Sequence, residues 1–194
     1  MATPIIEAHN LTVLYGRKPA IWNVDFKLPE GQVIGIMGPN GSGKSTLLKS
    51  IMGVVAPTTG YTKVYDQDLN QVRHKVSYVP QRQEIDWDFP ASVWDIVSMG
   101  RFHVRGLFKR LTSEDNDIIQ ESLEKVNMLG FAKRQISQLS GGQQQRVFLA
   151  RAIAQQGELF LMDEPFAGVD IATEEMIVDL LKEMKDQGKT LVIV

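Results

Sequence analysis

Residues 38–46, Gly38-Pro39-Asn40-Gly41-Ser42-Gly43-Lys44-Ser45-Thr46, fit G-x-x-x-x-G-K-[ST] at every position and constrain the fold more than any other stretch. Such a loop works where a buried strand runs into a helix, and both flanks are present. Gln32-Val33-Ile34-Gly35-Ile36-Met37 is a short apolar run ending at Gly38, which predicts a buried parallel strand. From Lys44 to Met52 the chain carries Leu47, Leu48 and Ile51 at helical spacing, and Gly53 is a natural stop. The glycines matter because several backbone N–H groups must point at the same phosphate oxygens. Gly41 and Gly43 permit that backbone, and the helix that follows adds its positive dipole end. Lys44 is then expected to reach the β- and γ-phosphates, and the Ser45 hydroxyl to ligate Mg²⁺. A plain glycine-rich turn before a helix does not account for the full match.

The rest of the chain alternates strand and helix signals. Residues 5–15 and 21–28 predict an antiparallel strand pair joined by a turn from Gly16 to Pro19. A turn at Pro57-Thr58-Thr59-Gly60 precedes a strand near 61–64, and Val76-Ser77-Tyr78-Val79-Pro80 is strand-like. Residues 81–90 form a polar loop that carries Trp87 and Phe89, and 92–138 is mostly helical. The last third returns to α/β, with helices near 142–155 and 172–185 and strands at 159–162 and 189–194.

Composition narrows the class. In 194 residues, 21 basic and 23 acidic side chains give a net charge of −2, so nothing pulls the chain as a whole toward nucleic acid or anionic lipid. No cysteine is present, which excludes disulfides and thiolate metal sites. No apolar run nears the roughly 18–20 residues that span a bilayer, so a membrane role is expected to come through a partner. Met1-Ala2-Thr3-Pro4-Ile5-Ile6-Glu7 lacks the layout of a signal peptide.

Asp163 and Glu164 end the apolar run Leu159-Phe160-Leu161-Met162, placing two carboxylates where ligands gather in open α/β sheets. Asp163 can hold Mg²⁺ there, Glu164 is the candidate base that polarises an attacking water, and Pro165 would stiffen the corner. The plain alternative is a pair of strand-end turn residues. Leu139-Ser140-Gly141-Gly142-Gln143 opens a helix, so free N–H groups and a hydroxyl face outward. Taken alone it is a helix cap.

The phosphate loop, Leu139-to-Gln143 and Leu159-to-Glu164 together closely resemble the ATP-binding-cassette (ABC) ATPases, and the resemblance runs from Ile5 to Val194. It implies an α/β fold: a P-loop NTPase core with an antiparallel β-subdomain and an α-helical insertion. The expected organisation is one domain, with 1–91 and 139–194 as core and β-subdomains and 92–138 as the helical subdomain. The resemblance also implies that Ser140, Gly141, Gly142 and Gln143 cap the γ-phosphate bound by a second copy, so that the protein works as a homodimer on ATP. Gln81 matches the family's glutamine that contacts Mg²⁺ or the lytic water, although a polar loop residue is the plain reading. Tyr15 stands where the family stacks an aromatic on adenine, with strand packing as the alternative. Asp170, in Gly168-Val169-Asp170, resembles a loop that crosses the dimer interface, but Ala167 departs from the usual Ser or Thr.

Within the family, Gln81 to Pro90 and Ser98-Met99-Gly100-Arg101 look most like the ATP-binding subunits of manganese, zinc and iron importers. That implies integral-membrane permease subunits as partners, an external metal-binding protein acting indirectly, no nucleic acid, and a place at the cytoplasmic face of the membrane. Another ABC transporter, or a non-transport ABC ATPase in DNA repair or translation, is the alternative. The segment from Arg101 to Arg110 is locally basic with interleaved aromatics; it reads as solvated surface, as a contact for a membrane subunit, or as a nucleic-acid patch. His9, His74 and His103 all lie upstream of the final strand, after which the family carries a histidine that contacts the γ-phosphate. The expectation is therefore a C-terminally shortened chain with impaired hydrolysis.

Overall fold

The computed structural model describes residues 4–85, 87, 89–106 and 109–194. Its chain divides into two compact units, one made of residues 1–78, 158–163 and 185–194, the other of 79–157 and 164–184.

The first unit holds two sheets. One is antiparallel, in the order β2 (Lys18–Leu28), β1 (Ile6–Tyr15), β4 (Thr59–Val64). Strand β1 is bulged, with Asn10 at φ +47°, and its amide is held by the Asp25 carboxylate at 2.9 Å. Gly60 falls inside β4 rather than in the turn expected before it, at φ +77°, where a Cβ would strike the His9 and Asn10 carbonyls. The second sheet runs β3 (Val33–Gly35), β7 (Thr190–Ile193), β6 (Leu159–Met162), β5 (Val76–Val79, of which the first unit holds the part up to Tyr78), with β7 parallel to both neighbours. Strand β6 is buried at all four positions because it is internal to the sheet. The expectation of a buried β3 is corrected: at the sheet's edge, Val33 is 47% exposed.

Helix α1 (Lys44–Ile51) buries Leu48 and Ile51 in a core with Ile6, Val64, Leu159, Leu161 and Val192. Each such side chain contributes about 1.5–3 kcal/mol by leaving water. A short helix α2 (Leu69–Val72) leads toward β5.

The second unit is mostly helical. Helices α3 (Val93–Ser98), α4 (Phe102–Arg105), α5 (Ser113–Lys125), α6 (Gly141–Ala154) and α7 (Ile171–Asp186) belong to it, α7 as far as Met184. Helices α3 and α5 pack on α6, burying Val97, Ile119, Leu123, Val147 and Leu149. Ser92, Thr112 and Ser140 start α3, α5 and α6 with reciprocal capping boxes.

Candidate functional site

In the first unit the phosphate loop connects β3 to α1. Gly41 and Gly43 sit at φ +79° and +93°, the left-handed region that the glycines were expected to supply. At Gly43 a Cβ would also run into the Ala20 carbonyl of β2, so the position has no room for another residue. Residues Gly38, Pro39, Asn40, Gly41 and Ser42 are exposed, while Gly43 to Thr46 are half-buried at the start of α1. The Lys44 ammonium reaches back across the loop, donating to the carbonyls of Gly38 at 2.9 Å and Pro39 at 3.2 Å.

Ser45, one position into α1, donates its hydroxyl proton to Asp163 Oδ1 at 3.0 Å. Asp163 is fully buried at the end of β6. The sheet thus carries the aspartate to the mouth of the loop, as expected of a strand end in an α/β fold. Serine hydroxyl and carboxylate are hard oxygen donors, the set that suits Mg²⁺, which takes one or two protein oxygens alongside phosphates and water.

Beside the loop lies a cleft of about 390 Å³ with Gly38, Ser42, Lys44, Trp22, Met37 and Leu47 among its walls. Trp22 is 69% exposed and Met37 93% exposed, and neither was singled out from the sequence. Strand alternation could have found Trp22, since it follows the buried Ile21 and so faces out. Tyr15, 55% exposed at the end of β1, does not line this cleft.

In the second unit Glu164 adopts φ +50°, although it is not glycine and precedes Pro165. Backbone so placed costs on the order of 1–3 kcal/mol and persists where its surroundings fix it. Two contacts do so here: the Ala167 amide donates to the Glu164 carbonyl at 3.0 Å, and Gln81 Nε2 donates to Glu164 Oε2 at 2.8 Å. The two residues proposed from sequence as catalytic are thus in direct contact.

Ser140 caps α6, its hydroxyl accepting from the Gln143 amide at 3.4 Å while the Gln143 side chain accepts from the Ser140 amide at 3.0 Å. Gln143 is therefore occupied in the capping box. Gly142 is buried, and a Cβ there would lie 3.2 Å from both Asp170 Oδ2 and Thr173 Oγ1. Asp170 itself receives the Thr173 amide at 2.9 Å and hydroxyl at 3.0 Å at the head of α7. The backbone N–H of Thr173, then its hydroxyl, hold the Asp170 carboxyl below its usual pKa.

Arg101 is not solvated surface: it is 4% exposed, donating to Asp115 Oδ1 at 3.0 Å and to the Ala154 carbonyl at 2.9 Å. A charge inside a helical unit needs such partners, and Asp115 together with the C-terminal end of α6 supplies them. Arg105 also spends its guanidinium on Asp115, at 2.7 Å. Asp86 and Asp88 of the loop expected at 81–90, and Leu107 and Phe108 of the basic segment, lie outside the described residues. Among the described residues, no helix is long and apolar enough to cross a membrane, and no three His, Asp or Glu are grouped to hold a metal ion.

A P-loop whose serine bonds a buried strand-end aspartate, on a chain with a capped Ser-Gly-Gly helix start, defines an ATP-binding cassette. The sequence matches the ABC transporter family over residues 21–167. The chain belongs to that family. It is 52% identical over 97% of its length to the manganese transport system ATP-binding protein MntB of Bacillus subtilis, covering 76% of that protein. To the zinc transport system ATP-binding protein TroB of Treponema pallidum it is 50% identical, over 97% of this chain and 71% of the other. Among solved structures, a dimeric bacterial ABC transporter cassette superposes with a TM-score of 0.84 at 30% identity, over 97% of this chain and 87% of that one.

Proposed function

We propose that this chain is the ATP-binding and ATP-hydrolysing subunit that powers a membrane importer for manganese, zinc or iron. The observation that carries the ATPase half is the Ser45–Asp163 contact at the mouth of a complete phosphate loop. The transport half is supported by relatives at 52% and 50% identity that are named for manganese and zinc transport.

In this reading Gly38 to Thr46 cradle the phosphates, and Lys44 exchanges its two loop carbonyls for phosphate oxygens. Tyr15 carries the adenine. Ser45, Asp163 and Gln81 would hold Mg²⁺, which when bound neutralises charge on the phosphates. Glu164 polarises the attacking water, released for that task when Gln81 shifts its amide from the 2.8 Å contact. Ser140 to Gln143 and Asp170 serve the nucleotide of a second copy, so the working form is a homodimer. Residues 92–138, as a helical part of one ATPase domain, transmit closure to integral-membrane permease subunits at the cytoplasmic face of the membrane. An external metal-binding protein delivers the ion, and no nucleic acid takes part.

The test is cellular uptake of labelled manganese, zinc and iron, comparing the unchanged gene with its Glu164→Gln form. Loss of uptake of one of these metals supports import and names the ion. Full uptake of all three, with expression verified, removes the metal reading.

A further inference from the structure

Arg82 follows Gln81 directly, and its role is legible only in the structure. Gln81 is extended, at φ −60° and ψ 137°, so successive side chains diverge. Gln81 turns to Glu164, whereas the Arg82 guanidinium goes to the start of α6. There Nη2 donates to Gln144 Oε1 at 3.1 Å, and Gln144 is itself anchored through Nε2 to the Ile136 carbonyl at 3.1 Å. The guanidinium also sits against Gly141: a Cβ at that glycine would lie 3.0–3.1 Å from Cζ, Nη1 and Nη2.

A second tether runs in parallel. Trp87 Nε1 donates to the Arg82 carbonyl at 3.1 Å, the centre of its ring lies 5.7 Å from the Arg82 guanidinium, and it makes a T-shaped pair with Phe148 of α6, ring centres 5.4 Å apart. The electrostatics make this arrangement costly. A cation sits at the positive end of a helix, and Arg82 Nε is buried with no hydrogen-bond partner among the described residues.

We propose that Arg82 is a positioning residue that couples the Gln81–Glu164 contact to the Ser140–Gly142 helix start of the same copy. This rests on the reading of that helix start as the surface that closes on a second copy's ATP. One peptide link then joins the group that attends hydrolysis in a copy's own site to the group that completes its partner's site. Any shift of Gln81 moves the Arg82 backbone, and the planar fork on Gln144 and Gly141 passes the movement to α6. The coupling makes the two hydrolysis sites of a pair interdependent.

The experiment uses the intact protein as wild type, Arg82→Ala, Gln144→Ala and the double variant, with ATP affinity and ATP-dependent hydrolysis measured on each. Arg82→Ala should leave ATP affinity within about twofold, since the phosphate loop is untouched, and lower kcat about tenfold. The double variant should fall no further than Arg82→Ala alone, because both substitutions cut the same link. The Hill coefficient for ATP should drop toward unity, a change that lost stability alone does not produce. Wild-type kcat in Arg82→Ala, or losses that add across the two substitutions, overturns the coupling while the ATPase reading stands. A wild-type protein that binds no ATP overturns both.

Discussion

The Ser45 hydroxyl donates to the Asp163 carboxylate at 3.0 Å, joining the first turn of α1 to the end of β6 across 118 positions of sequence. Asp163 is fully buried, and a carboxylate removed from water is tolerable only where donors or a cation meet it. The same contact therefore stabilises the sheet end and assembles a pair of hard oxygens beside the phosphate loop.

Ser45→Ala should accordingly be felt before any nucleotide is added. Depriving a buried acceptor of a donor costs about 1–3 kcal/mol, which in a chain of this size lowers Tm by several degrees. Calorimetry in nucleotide-free, Mg²⁺-free buffer measures it. An unchanged Tm would show that the contact carries no stability.

Lys44→Ala should act on binding instead. Among the described residues its ammonium bonds only to loop carbonyls, at 2.9 and 3.2 Å, so little of the fold depends on it. Hydrogen bonds to charged groups are worth about 1.5–3 kcal/mol, so ATP affinity should fall roughly 10- to 150-fold with Tm nearly constant. A nucleotide titration that matches the unchanged protein contradicts the assignment.

Glu164→Gln keeps the side chain's size and the φ +50° backbone but removes the base. Hydrolysis should drop by about 10²- to 10⁴-fold, while ATP binding persists and ATP-bound pairs accumulate. Sizing chromatography with ATP is the readout, and a profile of monomer alone would count against a base at this position.

Local sequence rules were enough for the phosphate loop, the buried strand β6 and the start of α6 because each depends on neighbours in the chain. The full Gly38–Thr46 match, the apolar run 159–162 and the Ser140 cap all appear where periodicity and capping chemistry put them. What failed depends on distant partners. Val33 looked like a core residue because its run is apolar, but exposure follows from which strands flank β3, and that is fixed by β7, over 150 residues away. Arg101 looked like a surface charge because its neighbours are basic, and only the fold brings Asp115 and the Ala154 carbonyl to it. Arg82 carries no local signal for the same reason, since its partner Gln144 lies in α6.

Asp115 gives the helical unit an acid-sensitive joint. Burial alone would raise its pKa, but the Thr112 amide, the Arg105 guanidinium, the Thr112 hydroxyl and the Arg101 guanidinium outweigh it and hold the carboxyl well below the usual carboxylate range. With the folded-state pKa depressed, the stabilisation is present above the unfolded-state value of about 3.9 and is lost as pH falls below it. Asp115→Asn removes the charge while leaving Arg101 buried, and should cost about 3–5 kcal/mol near neutrality. Because asparagine does not titrate, the gap between the two proteins should hold from neutrality down to about pH 5 and close progressively below about pH 4. Urea unfolding at a series of pH values measures that gap. A gap that stays constant down to pH 3 would mean that the carboxylate's charge is not what secures Arg101.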